Sequence, residues 1–300
     1  MRPAAAPVTR PDWFPEKLFP VASHFVAAGG ARVHYVDEGR GPVLLLLHGN
    51  PTWSFLYRHL IRELAGEFRC VAPDFPGFGL STAPRGYDFR PAFHADVLRE
   101  FIRALDLRDI VVMVQDWSGP IGLSVAAQEP SRFRGFVIGN TWAWSGKGDP
   151  HFERFSSLMG GKVAGFLNRH FNFFTRFVMR SGMRRRKPSA EVMRAYLAPF
   201  AAPDSREPTR VFPREIIGSS DFLEALEKDL PKISSLPALI VWGDRDFAFR
   251  DKERKRFESL FERHRTVILS GAGHFIQEDA PEEIARAIRN WRATTETKFS

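Results

Sequence analysis

Three ionisable residues stand in this chain where chemistry could be done: Asp116, Asp246 and His274. The stretch IVVMVQDWSGPIG, residues 110–122, sets the pattern. Ile110, Val111, Val112 and Val114 read as a buried strand, which stops at Gln115-Asp116-Trp117 and passes at once into Ser118 and Gly119. Ile121, Leu123, Val125 and Ala126 then continue as a helix. Strand, abrupt turn and helix make a nucleophile elbow, which holds one side chain out at the top of a parallel sheet. Here that side chain is a carboxylate, a nucleophile that leaves a covalent ester on the protein. Alone, the stretch reads equally well as a turn in which Asp116 caps the following helix. Two further strand ends shift the balance. WGDRD, residues 242–246, and GAGHF, residues 271–275, each follow an apolar run. Asp116, Asp246 and His274 then appear in an order known for nucleophile, acid and histidine. Asp244 is the alternative acid.

The elements that must position these groups alternate along most of the chain. Val33–Val36, Pro42–Leu47, Cys70–Ala72, Phe136–Ile138, Ala238–Trp242 and Thr266–Leu269 read as strands. PVLLLL is apolar on both faces, as in a parallel sheet covered by helices. Helical spacing is seen over Trp53–Leu64, His94–Leu105, Lys252–Phe261 and Pro281–Trp291. Between Ala143 and Ser220 the alternation stops, and a helical pattern with nine phenylalanines from Phe152 to Phe212 takes over. The reading is one α/β domain split by a helical insertion, which would roof the carboxyl ends of the strands where ligands bind. Most of those phenylalanines are expected in the core, with Phe152 or Phe173 candidates for a buried cavity.

Composition narrows the class. With 300 residues, 44% hydrophobic and 26% charged, the chain is an ordinary globular protein. No run of about eighteen apolar residues is present, so no membrane span is expected. The proline-rich N-terminus lacks a signal-peptide core and reads as an extended arm. Cys70 is the one cysteine, which suits a reducing, cytoplasmic setting. The net charge of +8 is densest at Arg180–Lys187, but without a nucleic-acid module it reads as a solvated face. Neither nucleic acid nor membrane is expected as a partner.

HGNPTWSFLYRHLI, APDFPGFGLS, VVMVQDWSGPIGL, YLAPFAAPDSREPTRVFPREI, WGDRDFAF and GAGHFIQED together resemble the haloalkane dehalogenases, over nearly the whole chain. The resemblance implies an α/β-hydrolase core, a mostly parallel eight-stranded sheet flanked by helices, at residues 1–142 and 221–300, with a helical cap at 143–220. It implies Asp116 as nucleophile, His274 as general base, Asp246 as charge-relay acid, and Asn50 with Trp117 as the halide-binding pair. Family spacing favours Asp246 over Asp244, and Asn140 at the preceding strand end cannot be an acid. The Trp–Asn pair with the acid after strand seven resembles the third subfamily, whose members self-associate, so a homo-oligomer is possible. The implied substrate is a small uncharged haloalkane, with water consumed and halide released. No organic cofactor and no metal is implied.

Ser118 departs from the family pattern, in which Gly follows Asp-Trp; it is expected to be tolerated with strain in the turn or a shift of the pocket. Trp142 and Trp144 lie at the start of the cap and are not read as halide donors. Epoxide hydrolases share the Asp-Trp elbow but use two cap tyrosines, and this insertion holds only Tyr196. A hydrolase-fold binding protein is the remaining alternative, against which the complete triad speaks.

Overall fold

Short runs that are apolar on both faces form the middle of a sheet because no face of them can be left in water. The structure, a computed structural model, describes residues 9–296. It holds β1 (His24–Ala28), β2 (Ala31–Glu38), β3 (Val43–Leu46), β4 (Arg69–Pro73), β5 (Ile110–Gln115), β6 (Phe133–Gly139), β7 (Ala238–Gly243) and β8 (His264–Leu269). They form one eight-stranded sheet in the order β1-β2-β4-β3-β5-β6-β7-β8. β2 is antiparallel to both neighbours, and every pairing from β4 to β8 is parallel. The winding reverses between β3 and β5, which opens a crevice at their carboxyl ends.

The helices are α1 (Arg58–Leu64), α2 (Pro91–Ala104), α3 (Ser118–Gln128), α4 (Pro150–Gly160), α5 (Lys162–Phe171), α6 (Phe173–Gly182), α7 (Ala190–Leu197), α8 (Glu207–Gly218), α9 (Ser220–Asp229), α10 (Asp251–Leu260), α11 (Ile276–Asp279) and α12 (Pro281–Glu296). α2 shows how they dock. Val97, Leu98, Phe101 and Ile102 recur on one face and are buried, each contributing about 1.5–3 kcal/mol of apolar burial. Starts are chemically marked as well: the Asp149 carboxylate accepts the His151 N–H at 3.0 Å, and Ser189 caps α7. α4 to α9 lie between β6 and β7, α4 packing on α8 and α9 returning to α3.

The structure departs from the sequence reading at particular places. β1 has no counterpart there, because HFVAA is a half-exposed edge strand without clean alternation. The Trp53–Leu64 helix begins as a 3-10 turn and becomes α-helical only at Arg58. Residues 1–8 of the extended arm lie outside the described residues. From Thr9 onward it is packed: Trp13, Phe14 and Phe19 surround the buried Trp53 ring at 5.8, 5.8 and 6.0 Å. No helix among the described residues is long and apolar enough to cross a membrane.

Candidate active site

Asp116 ends β5 with φ of +53°, the left-handed conformation that thrusts its side chain out of the sheet. Gly49 makes room for it, and Gly119 makes room for Thr141 behind it. A Cβ on Gly49 would meet Asp116 Cβ and Oδ1 at 2.5 Å, and one on Gly119 would fall 1.9 Å from Thr141 Oγ1. The Asn50 N–H donates to Asp116 Oδ1 at 2.7 Å, and the Trp117 N–H also reaches the carboxylate. Burial pushes Asp116 up to about 6, against the opposing pull of His274 and the two N–H groups.

His274 faces this carboxylate across 3.6 Å, Nε2 to Oδ2, while its Nδ1 lies 3.0 Å from Asp246 Oδ2. Burial would lower the imidazole, but the Asp246 charge and hydrogen bond, with Asp116, hold it above its usual value. Asp246 is buried and its Oδ1 accepts the Ala248 N–H at 2.7 Å. Asp244 is exposed and turned away, accepting the Gly271 N–H. Asp116, Asp246 and His274 therefore form one chain of contacts, as their order along the sequence suggests.

In front of them is a cavity walled by Phe152 and Phe155 from α4, Phe174 and Val178 from α6, Ile216 from α8, and Phe247. Asn50, Asp116, Trp117, Trp142 and His274 are its polar floor, His151 adds an imidazole to the wall, and no Lys, Arg or Tyr lines it. Phe152 thus faces the cavity as expected, whereas Phe173 does not and its neighbour Phe174 does. Among the described residues no group of three or more His, Cys, Asp or Glu is placed to hold a metal.

The α/β-hydrolase fold family matches residues 42–281. Haloalkane dehalogenase 2 of Mycobacterium tuberculosis is 41% identical over 280 residues, covering 92% of this chain and 97% of that protein. The chain belongs to the haloalkane dehalogenase family. The crystal structure of a haloalkane dehalogenase from Bradyrhizobium elkani superposes with a TM-score of 0.84 at 29% identity, covering 93% of this chain and 99% of that one. A cis-3-alkyl-4-alkyloxetan-2-one decarboxylase of Shewanella oneidensis is 32% identical, over 94% of this chain and 92% of its own length.

Several residues of the enzyme's site gave no sequence signal. Asn140, read only as a residue that cannot be an acid, holds Asp246 in place. Its Nδ2 donates to Asp246 Oδ2 at 2.9 Å, and its Oδ1 accepts the Gly243 N–H at 2.8 Å. Gln115 Nε2 lies 3.1 Å from both His274 Nε2 and the His274 carbonyl. Thr141 Oγ1 donates to the Asp116 carbonyl at 2.6 Å. Ser118 is not strained: the positive φ falls on Asp116, and Ser118 Oγ sits 2.7 Å from the Leu47 and Gln115 carbonyls while accepting the Gln115 N–H. The hydroxyl ties the ends of β3 and β5 together. Trp142, at the start of the cap in sequence, lines the cavity. It is fully buried against Trp117, with centroids 4.6 Å apart, and its indole N–H has no partner among the described residues.

Proposed function

We propose that Asp116, Asp246 and His274 carry out hydrolytic dehalogenation of an uncharged haloalkane. Asp116 attacks the carbon bearing the halogen; the carbon–halogen bond breaks and its electron pair leaves with the halide. The Trp117 indole N–H and the Asn50 amide donate to the departing ion, meeting the charge that develops without bringing a cation into an apolar cavity. Water, deprotonated by His274, then attacks the ester carbonyl, and the backbone N–H groups of Asn50 and Trp117 stabilise the oxyanion. Asp246 keeps the proton of neutral His274 on Nδ1 and stabilises the imidazolium. Collapse returns Asp116, and alcohol, halide and a proton are released. The observation that carries this reading is a carboxylate, not a hydroxyl, at the elbow of a cavity lined by phenylalanine.

The same proposal treats residues 143–220 as a cap on a core of residues 1–142 and 221–300, supported by the unbroken helical run from α4 to α8. A reducing compartment is supported by Cys70, which is free and buried. Self-association, measurable by sedimentation, belongs to the proposal through the subfamily resemblance alone.

Halide release from 1-bromobutane tests the reaction. Bromide should appear with the wild type, and His274→Ala should stop at a butyl ester detectable by mass on the peptide containing Asp116. Bromide release by Asp116→Ala at the wild-type rate would overturn the mechanism. Styrene oxide is the control for epoxide opening, disfavoured because Tyr196 is buried against Glu278 and outside the cavity.

The decarboxylase relatives favour a second reading of the same nucleophile. Asp116 would attack the oxygen-bearing ring carbon of a β-lactone, breaking the C–O bond and freeing a carboxylate. Loss of carbon dioxide would then form the alkene and return the ester electron pair to Asp116. That route needs no water and so no general base. Alkene formed equally by wild type and His274→Ala, without bromide from haloalkanes, would select it.

A further inference from the structure

The cap carries its charge in one place. Residues 154–190 hold nine Lys and Arg and no Asp or Glu, against a net charge of +8 for the whole chain, so the remainder is slightly acidic. Part of this charge is neutralised within the fold: Arg169 meets Asp204 at 2.8 Å, Arg186 meets Glu282 at 2.9 Å, and Arg185 meets Glu283. Lys162, Arg176 and Arg180 have no carboxylate partner among the described residues.

Apolar exposure is concentrated on the same helices. Of seven exposed large apolar side chains among the described residues, five lie in this stretch: Leu158, Val163, Phe166, Phe171 and Phe177. On the outer side of α5 and α6, Leu167, Phe171, Phe173 and Phe177 form a dish with Arg176 and Arg180 on its rim. Phe173 and Phe177 stack at 5.6 Å. Water gains nothing from such a surface, and monomeric proteins rarely leave one open without a use. From sequence alone the charge reads as a solvated face; the phenylalanines turned outward between the arginines change that reading.

We propose that this outer face of α5 and α6 docks on an anionic lipid bilayer, with Phe171 and Phe177 among the headgroups and Arg176 and Arg180 on lipid phosphates. Helices that pair aromatic residues with cations on an accessible face lie in the membrane interface plane by apolar burial plus attraction to anionic lipid. A second copy of the chain fits worse, because two faces that both lack carboxylates would repel. The inner face of α6 supplies Phe174 and Val178 to the catalytic cavity, so docking sets the roof of the site against the phase in which apolar substrates collect. That consequence rests on the proposed reaction, but the docking itself does not.

Flotation of the full chain with vesicles of phosphatidylglycerol and phosphatidylcholine tests this, with pure phosphatidylcholine vesicles as control. Binding is expected on the anionic vesicles, weakening steeply with added salt. Arg176→Ala with Arg180→Ala should lower the partition coefficient about 30-fold, from the usual gain per cation at an anionic surface. Phe171→Ser with Phe177→Ser should lower it about tenfold or more. Both pairs are exposed and outside the catalytic cavity, so Tm and turnover of a water-soluble bromoalkane should not change. The proposal is overturned if anionic vesicles do not float the protein, if both vesicle types bind equally, or if the variants bind like wild type. Retention on a single-stranded oligonucleotide in place of vesicles, or self-association abolished by the phenylalanine pair, would also overturn it.

Discussion

Asp116 is asked to be ionised in a cavity that disfavours charge. Its ordinary value of 3.8 rises to about 6 in the fold, so the folded state holds its proton more tightly than the unfolded chain. The sign follows: at pH above 6 the buried charge opposes folding by up to about 3 kcal/mol, and the effect vanishes as pH falls below about 4. Asp116→Asn should therefore lose turnover yet unfold at a higher temperature than wild type at pH 8, with the two curves converging at pH 4. Calorimetry at both pH values checks this. Activity runs the other way, since halide release should fall as pH drops through about 6. In the proposed reaction His274, held above its usual value, must be neutral to activate water, so mildly acidic solutions should accumulate the alkyl ester, seen as a bromide burst under rapid mixing. Asn50→Ala keeps the backbone N–H on Asp116 but removes the amide proposed to meet the leaving group. It should slow the bromide burst about 100-fold, the usual cost of one preorganised donor.

Among the elements, the short α11 holds the α6–α7 turn against the loop that carries His274. Asp279 on α11 accepts the backbone N–H groups of Arg184, Arg185 and Arg186 from the α6–α7 turn, and that of Gly273 just before the histidine. His274 N–H in turn donates to the Gly182 carbonyl at 2.8 Å. One residue earlier, Glu278 is buried and takes a two-pronged bond from Arg58 at 2.5 and 2.8 Å, with Tyr196 O–H donating to the same carboxylate. Asp279→Ala would leave four N–H groups without their acceptor and should cost about 3 kcal/mol or more, since hydrogen bonds to a charged group are worth about 1.5–3 kcal/mol each. The expected outcome is a lower urea midpoint with an unchanged m value, together with slower ester hydrolysis and little change in the burst.

Across the whole molecule, charge and apolarity are sorted by location. The cavity is lined by no Lys or Arg, whereas the outer cap has several without a carboxylate partner among the described residues. A substrate carrying its own carboxylate would have to be desolvated there unpaired, which is costly. The kcat/KM for 4-bromobutanoate should fall at least about 1000-fold below that for 1-bromobutane, corresponding to only about 4 kcal/mol of uncompensated desolvation. Near-equal values would show that a cation reaches the cavity after all.

Much of this was legible in the residues themselves. β5, the elbow and the start of α3 are written in thirteen consecutive positions, because strand, turn and helix obey local rules of period and backbone conformation. Asp246 and His274 were singled out for the same reason, each in the loop that follows a strand. The resemblance to a known family then supplied their roles and the halide pair. What lay beyond reach was every contact joining distant positions without a periodic signal. Asn140 on Asp246, Gln115 on His274 and Asp279 on the α6–α7 turn are polar residues whose types fit a surface loop equally well. Ser118 looked like a strain because its two acceptors, Leu47 and Gln115, meet only when β3 and β5 pair. The nine cap phenylalanines are identical in sequence, and packing alone separates Phe152, Phe155 and Phe174 on the cavity from Phe166, Phe171 and Phe177 in solvent. Local pattern determined where the reacting groups sit along the chain; only the tertiary structure decided what holds them and which faces stay open, because those depend on what the rest of the chain covers.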